Sequence, residues 1–382
     1  MTDDARNRLR RALVRANRQI RHGRELLPES TNLLVRSYPT WIGETMRPVK
    51  MYQIWFRTRG CTFDRAGQCS MCNYGVGPEI DPDVIADAVT ARLEQIPRHS
   101  FVYLSPSGSF FDDREVPPRL RERLLAALAD RMPEQFAFET RPETCAPPVL
   151  DQMRQALPST ELICQIGVES WDERIRTLCH LKPTPQQSLL GAQAELGPRG
   201  YSTIANLTLG GLGLSHGEAY RDTLSGVDGC RAAGFSAQMV FPLSAKSNTL
   251  LGWAHAQGLW EPPSLWMLIR LLAQDARREA RPDGRFDLHI SWFNPSIGDI
   301  VRARPDCCDV CRPLVVDTLA AVQSIPDRRM LDEVLRFDKC GCPERAARKV
   351  AEDDGRTYVD RLTEVLERWD ASHPGELHLV SS

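Results

Sequence analysis

Short apolar runs alternate with amphipathic helical patterns along most of the chain. The apolar runs have the length and the β-branched or aromatic content of buried strands, and they lie at 49–60, 101–105, 136–140, 161–170, 202–211 and 235–243. Helical patterns fill the gaps, at 81–96, 117–132, 147–157, 186–196 and 217–233. This alternation predicts a parallel α/β sheet, open or closed into a barrel, with the carboxyl ends of its strands on one face.

The flanking regions have a different pattern. Residues 1–45 predict an arginine-rich, solvated helical arm followed by a proline-containing linker. After about residue 245 the composition changes, and we expect a helix over 262–280, a strand over 285–294 and a helix over 313–325. We therefore predict three parts: an arm at 1–45, a barrel at 46–250 and a cysteine-containing extension at 251–382.

Composition and charge narrow the class of protein. The chain has 382 residues, 42% of them hydrophobic, and a formal net charge of −2. That charge gives no general attraction to nucleic acid or to an anionic membrane. No apolar run is long enough to span a bilayer, and the polar N-terminus does not resemble a secretory signal. Twelve cysteines without such a signal indicate thiolate ligands in a reducing, cytoplasmic compartment.

Three cysteines follow the first apolar run of the predicted sheet. Cys61, Cys69 and Cys72 lie in the segment RGCTFDRAGQCSMCNYG, with a spacing of CX7CX2C and no fourth cysteine nearby. Soft thiolate ligands select zinc, copper(I) or iron–sulfur clusters. One interpretation is a zinc site completed by a distant residue. The other is a [4Fe–4S] cluster with one iron left open for a substrate or cofactor.

This arrangement resembles the radical S-adenosylmethionine (SAM) superfamily. In that superfamily three cysteines follow the first strand of a partial (β/α)6 barrel and hold a [4Fe–4S] cluster, and SAM chelates the fourth iron. The usual spacing there is CX3CX2C, and CX7CX2C is a variant of it. The residue before the last cysteine is often aromatic and packs near the adenine; here it is Met71.

Three further segments resemble the Elongator branch of the superfamily. SPSGSFFDD resembles the turn that holds the amino group of SAM, although the usual glutamate is missing, and it offers Ser107, Gly108 and Ser109. FETRPE and IGVESWDERIRTLCHLKP resemble segments that follow the third and fourth strands.

The resemblance implies specific SAM contacts. Glu139 and Glu169 would take the ammonium or ribose hydroxyls, Arg141 the carboxylate, and Gln165 the ribose. Each charged residue is equally consistent with an ordinary ion pair at the rim of a barrel.

A second cysteine group lies in the segments CCDVC and KCGC. Its expected ligands are Cys308, Cys311, Cys340 and Cys342, with Cys307 as a spare thiol. Four thiolates fit a zinc ion or an iron–sulfur cluster equally well. The pair of motifs resembles the C-terminal part of archaeosine-synthase-type proteins, and from this resemblance we expect a second, auxiliary [4Fe–4S] cluster, with zinc as the alternative.

The resemblance also implies the reaction. A radical SAM enzyme cleaves SAM to a 5′-deoxyadenosyl radical, using a reducing partner such as flavodoxin or ferredoxin. We expect a small nucleoside or sugar substrate and the exchange of a sugar-ring oxygen of a cytosine nucleoside for sulfur, as in antibiotic biosynthesis, with the auxiliary cluster as the sulfur source. The alternative is modification of tRNA, as in archaeosine synthesis, with a structural C-terminal metal site.

Overall fold

The structure is a computed structural model, and it describes residues 2–20, 33–41, 48–75, 79–278, 287–291, 301–325 and 328–374. The strands are β1 (Leu33–Thr40), β2 (Val49–Phe56), β3 (Phe101–Pro106), β4 (Gln135–Thr140), β5 (Glu161–Glu169), β6 (Tyr201–Leu209), β7 (Ala237–Pro242), β8 (Ala245–Lys246), β9 (Leu288–Ile290) and β10 (Val301–Ala303).

The helices before the end of the sheet are α1 (Asp3–Ile20), α2 (Thr62–Arg65), α3 (Pro82–Leu93), α4 (Pro118–Arg131), α5 (Pro147–Ala156), α6 (Glu173–Leu178), α7 (Gln186–Leu196), α8 (His216–Ala232), α9 (Leu250–Ala256) and α10 (Leu265–Ala276). Those after it are α11 (Arg312–Ser324), α12 (Arg329–Val334), α13 (Cys342–Ala351) and α14 (Tyr358–Ser372). None of the described helices is long and apolar enough to cross a bilayer.

Eight strands form one curled, half-barrel sheet in the order β1-β2-β3-β4-β5-β6-β7-β9. Within this sheet β2 to β7 and β9 pair in parallel, and β1 pairs with β2 antiparallel. Strands β8 and β10 form a separate antiparallel pair. A helix separates most successive parallel strands, so the predicted α/β class and partial barrel are confirmed. The predicted strands and helices of the barrel agree with the observed bounds to within four residues at each end.

Both faces of the sheet are buried, which explains why its strands read as continuous apolar runs. On β3, Val102 and Leu104 pack into the outer core with the helices, whereas Phe101 and Tyr103 alternate with them and pack inside the barrel. The inner cluster also contains Met51 of β2 and residues of β4 to β7. The interior is therefore a packed core near the start of the strands.

Trp41, directly after β1, joins the two edges of the sheet. Its ring lies 3.9 Å from that of His289 on β9, and its Nε1 donates to the Val322 carbonyl of α11. Arg328 covers the same ring at 5.1 Å. One edge strand is thus covered by side chains from the other end of the chain, which protects an otherwise open sheet edge.

The N-terminal region differs from its prediction in two ways. Residues 33–40, expected as linker, form the edge strand β1. The helix α1 is amphipathic rather than fully solvated, since its Ala12, Leu13, Ala16 and Asn17 are buried, and its apolar face packs with α14. The arginines on its other face led to the prediction that the whole helix is solvated.

The C-terminal region shares the outer core of the barrel. Trp266 of α10 and Val315 of α11 belong to the same apolar cluster as the sheet. The predicted helices at 262–280 and 313–325 correspond to α10 and α11, and β9 lies within the predicted strand at 285–294. The rest of that strand, with Trp292 and Asn294, lies outside the described residues, and the three domain boundaries stay predictions.

Candidate functional site

Cys61, Cys69 and Cys72 lie in one loop at the carboxyl end of β2. The short helix α2 occupies the long gap between the first two cysteines. Asp64 in this helix is fully buried, and its carboxylate accepts from the Gly75 N–H at the far end of the loop. The loop is therefore closed on itself, and all three thiols stay close to the mouth of the barrel.

A second segment of the chain fixes the middle of the loop. Cys69 has a φ of +61°, unusual for a residue with a Cβ, and its N–H lies 3.5 Å from the Leu181 carbonyl. The Ser70 N–H donates to the His180 carbonyl at 2.9 Å, and the Ser70 hydroxyl to the Cys179 carbonyl at 2.7 Å. The segment 179–182 thus holds the cysteine loop like a paired strand.

Asn17 of α1 holds the loop from the other side. Its Nδ2 donates to the Gly67 carbonyl at 2.8 Å, and its Oδ1 accepts from the Leu250 N–H at 3.0 Å. A Cβ at Gly67 would lie 2.8 Å from the Cβ of Arg18, so only glycine permits this close approach. The N-terminal helix is therefore part of the wall of the site, and its basic composition gave no sign of it.

The number and type of the thiol donors fit an iron–sulfur cluster with one open iron. Cys61, Cys69 and Cys72 are free cysteines, of which Cys69 is buried and the other two are half-buried. A [4Fe–4S] cluster normally takes four thiolates, one for each iron, so three cysteines leave one iron without a protein ligand. The same three thiols also fit a zinc ion completed by a distant residue.

Burial controls the protonation of this loop. It raises the pKa of the Cys61 thiol to about 11, with Glu115 adding to the shift, and that of Cys72 to about 12, with Asp64 adding to it. Burial also raises the pKa of Cys69 well above its usual value. The thiols are therefore protonated at neutral pH until a metal centre displaces the protons.

The second cysteine group is compact. The sulfurs of Cys308, Cys311, Cys340 and Cys342 all lie within 4.8 Å of one another, and those of Cys308 and Cys311 are 3.7 Å apart. Trp266 Nε1 donates to Cys311 Sγ at 3.2 Å. The predicted set of four is thus brought together. The spacing suits a single tetrahedral ion directly, and a cubane would require the two segments to move apart.

Two helix starts form this second site. Cys311 immediately precedes α11, and Cys342 is the first residue of α13. A hydrogen bond from the Cys311 backbone lowers the pKa of Cys308 to about 6, so one thiolate is available at neutral pH. Cys307 is adjacent but lies outside the group of four. The scattered cysteines Cys145, Cys164, Cys179 and Cys230 are buried, as small apolar residues are.

Comparison with curated proteins gives one relative along nearly the whole chain. Archaeosine synthase subunit beta of Methanosarcina acetivorans is 26% identical over 361 residues, which cover 91% of this chain and 98% of that protein. An uncharacterized protein of Methanocaldococcus jannaschii is 27% identical over 236 residues, 59% of this chain and 64% of its own. No known protein-family profile matches the chain.

Solved structures with related folds have lower similarity. Methylornithine synthase (PylB) is 13% identical, with a TM-score of 0.47 over 87% of this chain and 93% of its own. Elp3 of Methanocaldococcus infernus is 18% identical, with a TM-score of 0.46 over 63% of this chain and 59% of its own. Both scores are below 0.5 and add nothing to the assignment, which rests on the cysteine loop, the half-barrel and the relative in Methanosarcina.

These findings support a radical SAM protein similar to archaeosine synthase subunit beta. This places the expected SAM contacts around the three-cysteine loop, where the structure brings most of the predicted residues together. Met71 lies within the loop and is buried in the same apolar cluster as Cys69. Glu139 and Gln165 are neighbours in register on β4 and β5, inside the barrel mouth. The contact of each with SAM stays a prediction.

The two predicted carboxylates have different surroundings. Glu139 accepts a hydrogen bond from the Tyr103 hydroxyl, and burial raises the pKa of its carboxyl group. Glu169 has a φ of +64° at an irregular end of β5, and its Oε1 lies 3.0 Å from Nζ of the buried Lys182. Glu169 is therefore held in place by an ion pair, whereas Glu139 lies in a less polar environment.

A buried glutamate that the sequence analysis did not single out lies against the turn of Ser107, Gly108 and Ser109. It is Glu115, whose Oε2 accepts a hydrogen bond from the Ser109 N–H. Gly108 has a φ of +155°, and a Cβ there would clash with the same carboxylate. The turn therefore encloses a buried glutamate supplied six residues further along, which no fixed-spacing motif could indicate.

The contacts of Arg141 differ from those expected of a residue that binds the carboxylate of SAM. Its guanidinium already bonds Asp112 and Glu115, and its Nη1 lies 3.7 Å from Cys61 Sγ. Its predicted role as partner of the SAM carboxylate is thus at odds with its contacts, because both donor ends are occupied by protein acceptors.

Proposed function

We propose that this radical SAM enzyme cleaves SAM reductively and removes a hydrogen atom from a nucleoside- or sugar-type small molecule. The observation that carries the proposal is the loop of three free cysteines at the carboxyl end of β2, held at the mouth of the half-barrel by the segment 179–182 and by Asn17. A [4Fe–4S] cluster held by Cys61, Cys69 and Cys72 would supply the electron that splits SAM into methionine and the 5′-deoxyadenosyl radical.

The chain itself positions the reactants and excludes water. Glu139, Gln165 and Glu169 lie at the strand ends next to the loop, where they can orient the polar groups of SAM. Deeper in the barrel, Tyr103 and Met239 belong to the buried apolar cluster on the inner face of the sheet. Trp55 Nε1 and Asn206 Oδ1 are among the buried polar atoms without a partner in the described structure, and they could bind a polar group of a ligand.

The finer proposal is exchange of a sugar-ring oxygen for sulfur in a cytosine nucleoside of an antibiotic pathway. The exchange itself consumes hydrogen sulfide and releases water, so it is redox-neutral. Cleavage of one SAM consumes one electron, and conversion of the substrate radical to a closed-shell product consumes a second electron and one proton. A flavodoxin- or ferredoxin-type donor supplies the electrons. The second cysteine group supports this proposal, since a cluster there would be a source of sulfide.

A second candidate function is modification of tRNA of the archaeosine-synthase type. The alignment with archaeosine synthase subunit beta over 91% of the chain favours it, and so does the compact spacing of Cys308, Cys311, Cys340 and Cys342, which suits one structural ion. The net charge of −2 counts against it, because phosphate contacts require an excess of cationic side chains.

Metal analysis of protein purified and reconstituted without oxygen distinguishes the two candidate functions. The sulfur-exchange proposal predicts about eight irons and eight sulfides per chain, for two [4Fe–4S] clusters. About four irons with one zinc would contradict the cluster as sulfur source and would favour the tRNA alternative. A chain that binds no iron would contradict the radical reaction altogether.

Substrate assays give the second half of the test. Incubation with SAM, dithionite and cytosine nucleosides or nucleotides should give 5′-deoxyadenosine and a product in which mass spectrometry finds one sulfur in place of one oxygen. Binding of tRNA that weakens steeply with salt, together with 5′-deoxyadenosine formed only in its presence, would support the alternative.

A further inference from the structure

Arg141 lies just after β4 and is almost fully buried beside the cysteine loop. Its Nη1 is 2.7 Å from Glu115 Oε1 and 3.7 Å from Cys61 Sγ, and its Nη2 bonds Asp112. The ring of Phe63 covers the guanidinium at 4.5 Å. The donors of this side chain are therefore directed at two carboxylates and at one thiol of the loop.

Glu115 fixes the position of the guanidinium. Its side chain is fully buried, and Oε1 also accepts from the N–H and the hydroxyl of Thr62, both at 2.7 Å. Thr62 directly follows Cys61, so one carboxylate links the backbone at the first cysteine to Arg141. The distance between the guanidinium and the Cys61 sulfur is thus set by a rigid, buried network.

We propose that Arg141 acts on the Cys61 ligand of the cluster and raises its reduction potential, and that it does not bind the carboxylate of SAM. Reduction adds negative charge to a cluster, and an N–H donor directed at a ligand sulfur stabilises that charge. Asp112 and Glu115 offset the charge of the guanidinium and hold it in place, so the local N–H···S contact is the source of the effect. The inference rests on the proposed function only in that the three cysteines bind an iron–sulfur cluster.

The variants Arg141→Lys and Arg141→Gln test this proposal. We expect both to lower the midpoint potential of the SAM-free cluster, measured by reductive titration with detection by electron paramagnetic resonance. The shift should be larger for glutamine, because its shorter side chain withdraws the N–H donor from Cys61 Sγ, whereas lysine can keep a donor near it. Arg114→Gln is the matched control, because Arg114 bonds the same Asp112 but is 68% exposed, and its potential should equal that of the wild type.

A measurement on the wild-type protein removes the dependence on how the variants fold. In protein labelled with ¹⁵N-arginine, pulsed electron paramagnetic resonance of the reduced, SAM-free cluster should show a ¹⁵N coupling transmitted through the N–H···S contact. Absence of this coupling would overturn the proposal. An unchanged potential in both variants, with weakened SAM binding, would also overturn it and return Arg141 to the SAM carboxylate.

Failure of this proposal for Arg141 and failure of the proposed function give different results. A wild-type chain without a [4Fe–4S] signal after reconstitution contradicts the proposed function itself. A wild-type chain that binds the cluster and cleaves SAM, but whose potential does not depend on Arg141, contradicts only the role given to this residue.

Discussion

The loop of Cys61, Cys69 and Cys72 is held by distant parts of the chain, whereas the C-terminal group of four is built locally. Asn17, which bonds Gly67 and Leu250, is 50 and 233 residues away from them. By contrast, Cys308 and Cys311 lie on one tight turn before α11, and Cys340 and Cys342 lie at the start of α13. The first site therefore depends on contacts up to 233 residues apart in sequence, whereas the second depends on two helix starts and on Trp266, 45 residues before Cys311.

This difference bears on function. A loop with three thiols and long-range supports keeps one coordination position open only while the fold holds it in place. A compact group of four thiols satisfies a metal by itself, as structural sites do.

The largest effect is expected from the N-terminal cysteines. Cys61→Ala, Cys69→Ala and Cys72→Ala should each reduce 5′-deoxyadenosine production from SAM to the level without enzyme, because the loop contains no fourth cysteine to take the place of a lost ligand. The measurement is chromatography of anaerobic reactions with dithionite. Cys230→Ala, in the core of α8 and remote from the loop, should keep its activity. Retained production in all three variants would contradict the radical SAM assignment.

The C-terminal cysteines should separate SAM cleavage from sulfur exchange. Cys340→Ala and Cys342→Ala should keep most of the 5′-deoxyadenosine production and lose both the second metal centre and the sulfur-containing product. Cys307→Ala is the matched control, since this thiol adjoins the group but lies outside it. Wild-type yields of the sulfur product in the two variants would make the second site purely structural.

The ligand residues of both sites were predicted from sequence, but most of what holds them was not. Close cysteine spacings are visible in the chain, because a tight turn needs only a few residues. Asn17 and Glu115 were missed, since their partners are remote in sequence or at irregular spacing. Arg141 was recognised as a site residue, but its acceptors Asp112 and Glu115 appear only once the chain is folded.

The central strands of the fold were predicted from the sequence, but its N-terminal elements were not. The parallel strands β2 to β7 are apolar on both faces, so their runs are long enough to recognise. The edge strand β1 alternates half-buried and exposed residues and contains Pro39, which reads as a linker. The buried face of α1 is narrow, and the arginines around it determined the prediction of a solvated arm.

Asn17→Ala should affect the N-terminal site alone. It leaves the Leu250 N–H and the Gly67 carbonyl without their partner in a buried region, which we expect to cost about 2 kcal/mol in the free energy of unfolding. Iron uptake at the three-cysteine loop should fall, while the C-terminal group keeps its metal. Thermal unfolding and metal analysis measure the two effects, with the exposed Arg15→Ala on the same helix as control. Equal loss of metal at both sites would show that the sites are not independent.

Trp266→Phe should have the smallest effect and should be confined to the C-terminal site. The phenyl ring keeps the packing against Phe337, at a centroid distance of 6.0 Å, but removes the N–H that donates to Cys311 Sγ. A neutral hydrogen bond contributes about 1 kcal/mol, so metal affinity should fall about fivefold in a competition titration with a chromophoric chelator. Trp253→Phe, at a residue that packs on Trp369 outside the C-terminal cysteine group, should bind metal at that group as the wild type does. If Trp266→Phe instead slowed 5′-deoxyadenosine production, the two sites would be coupled, and the local character of the C-terminal site would be wrong.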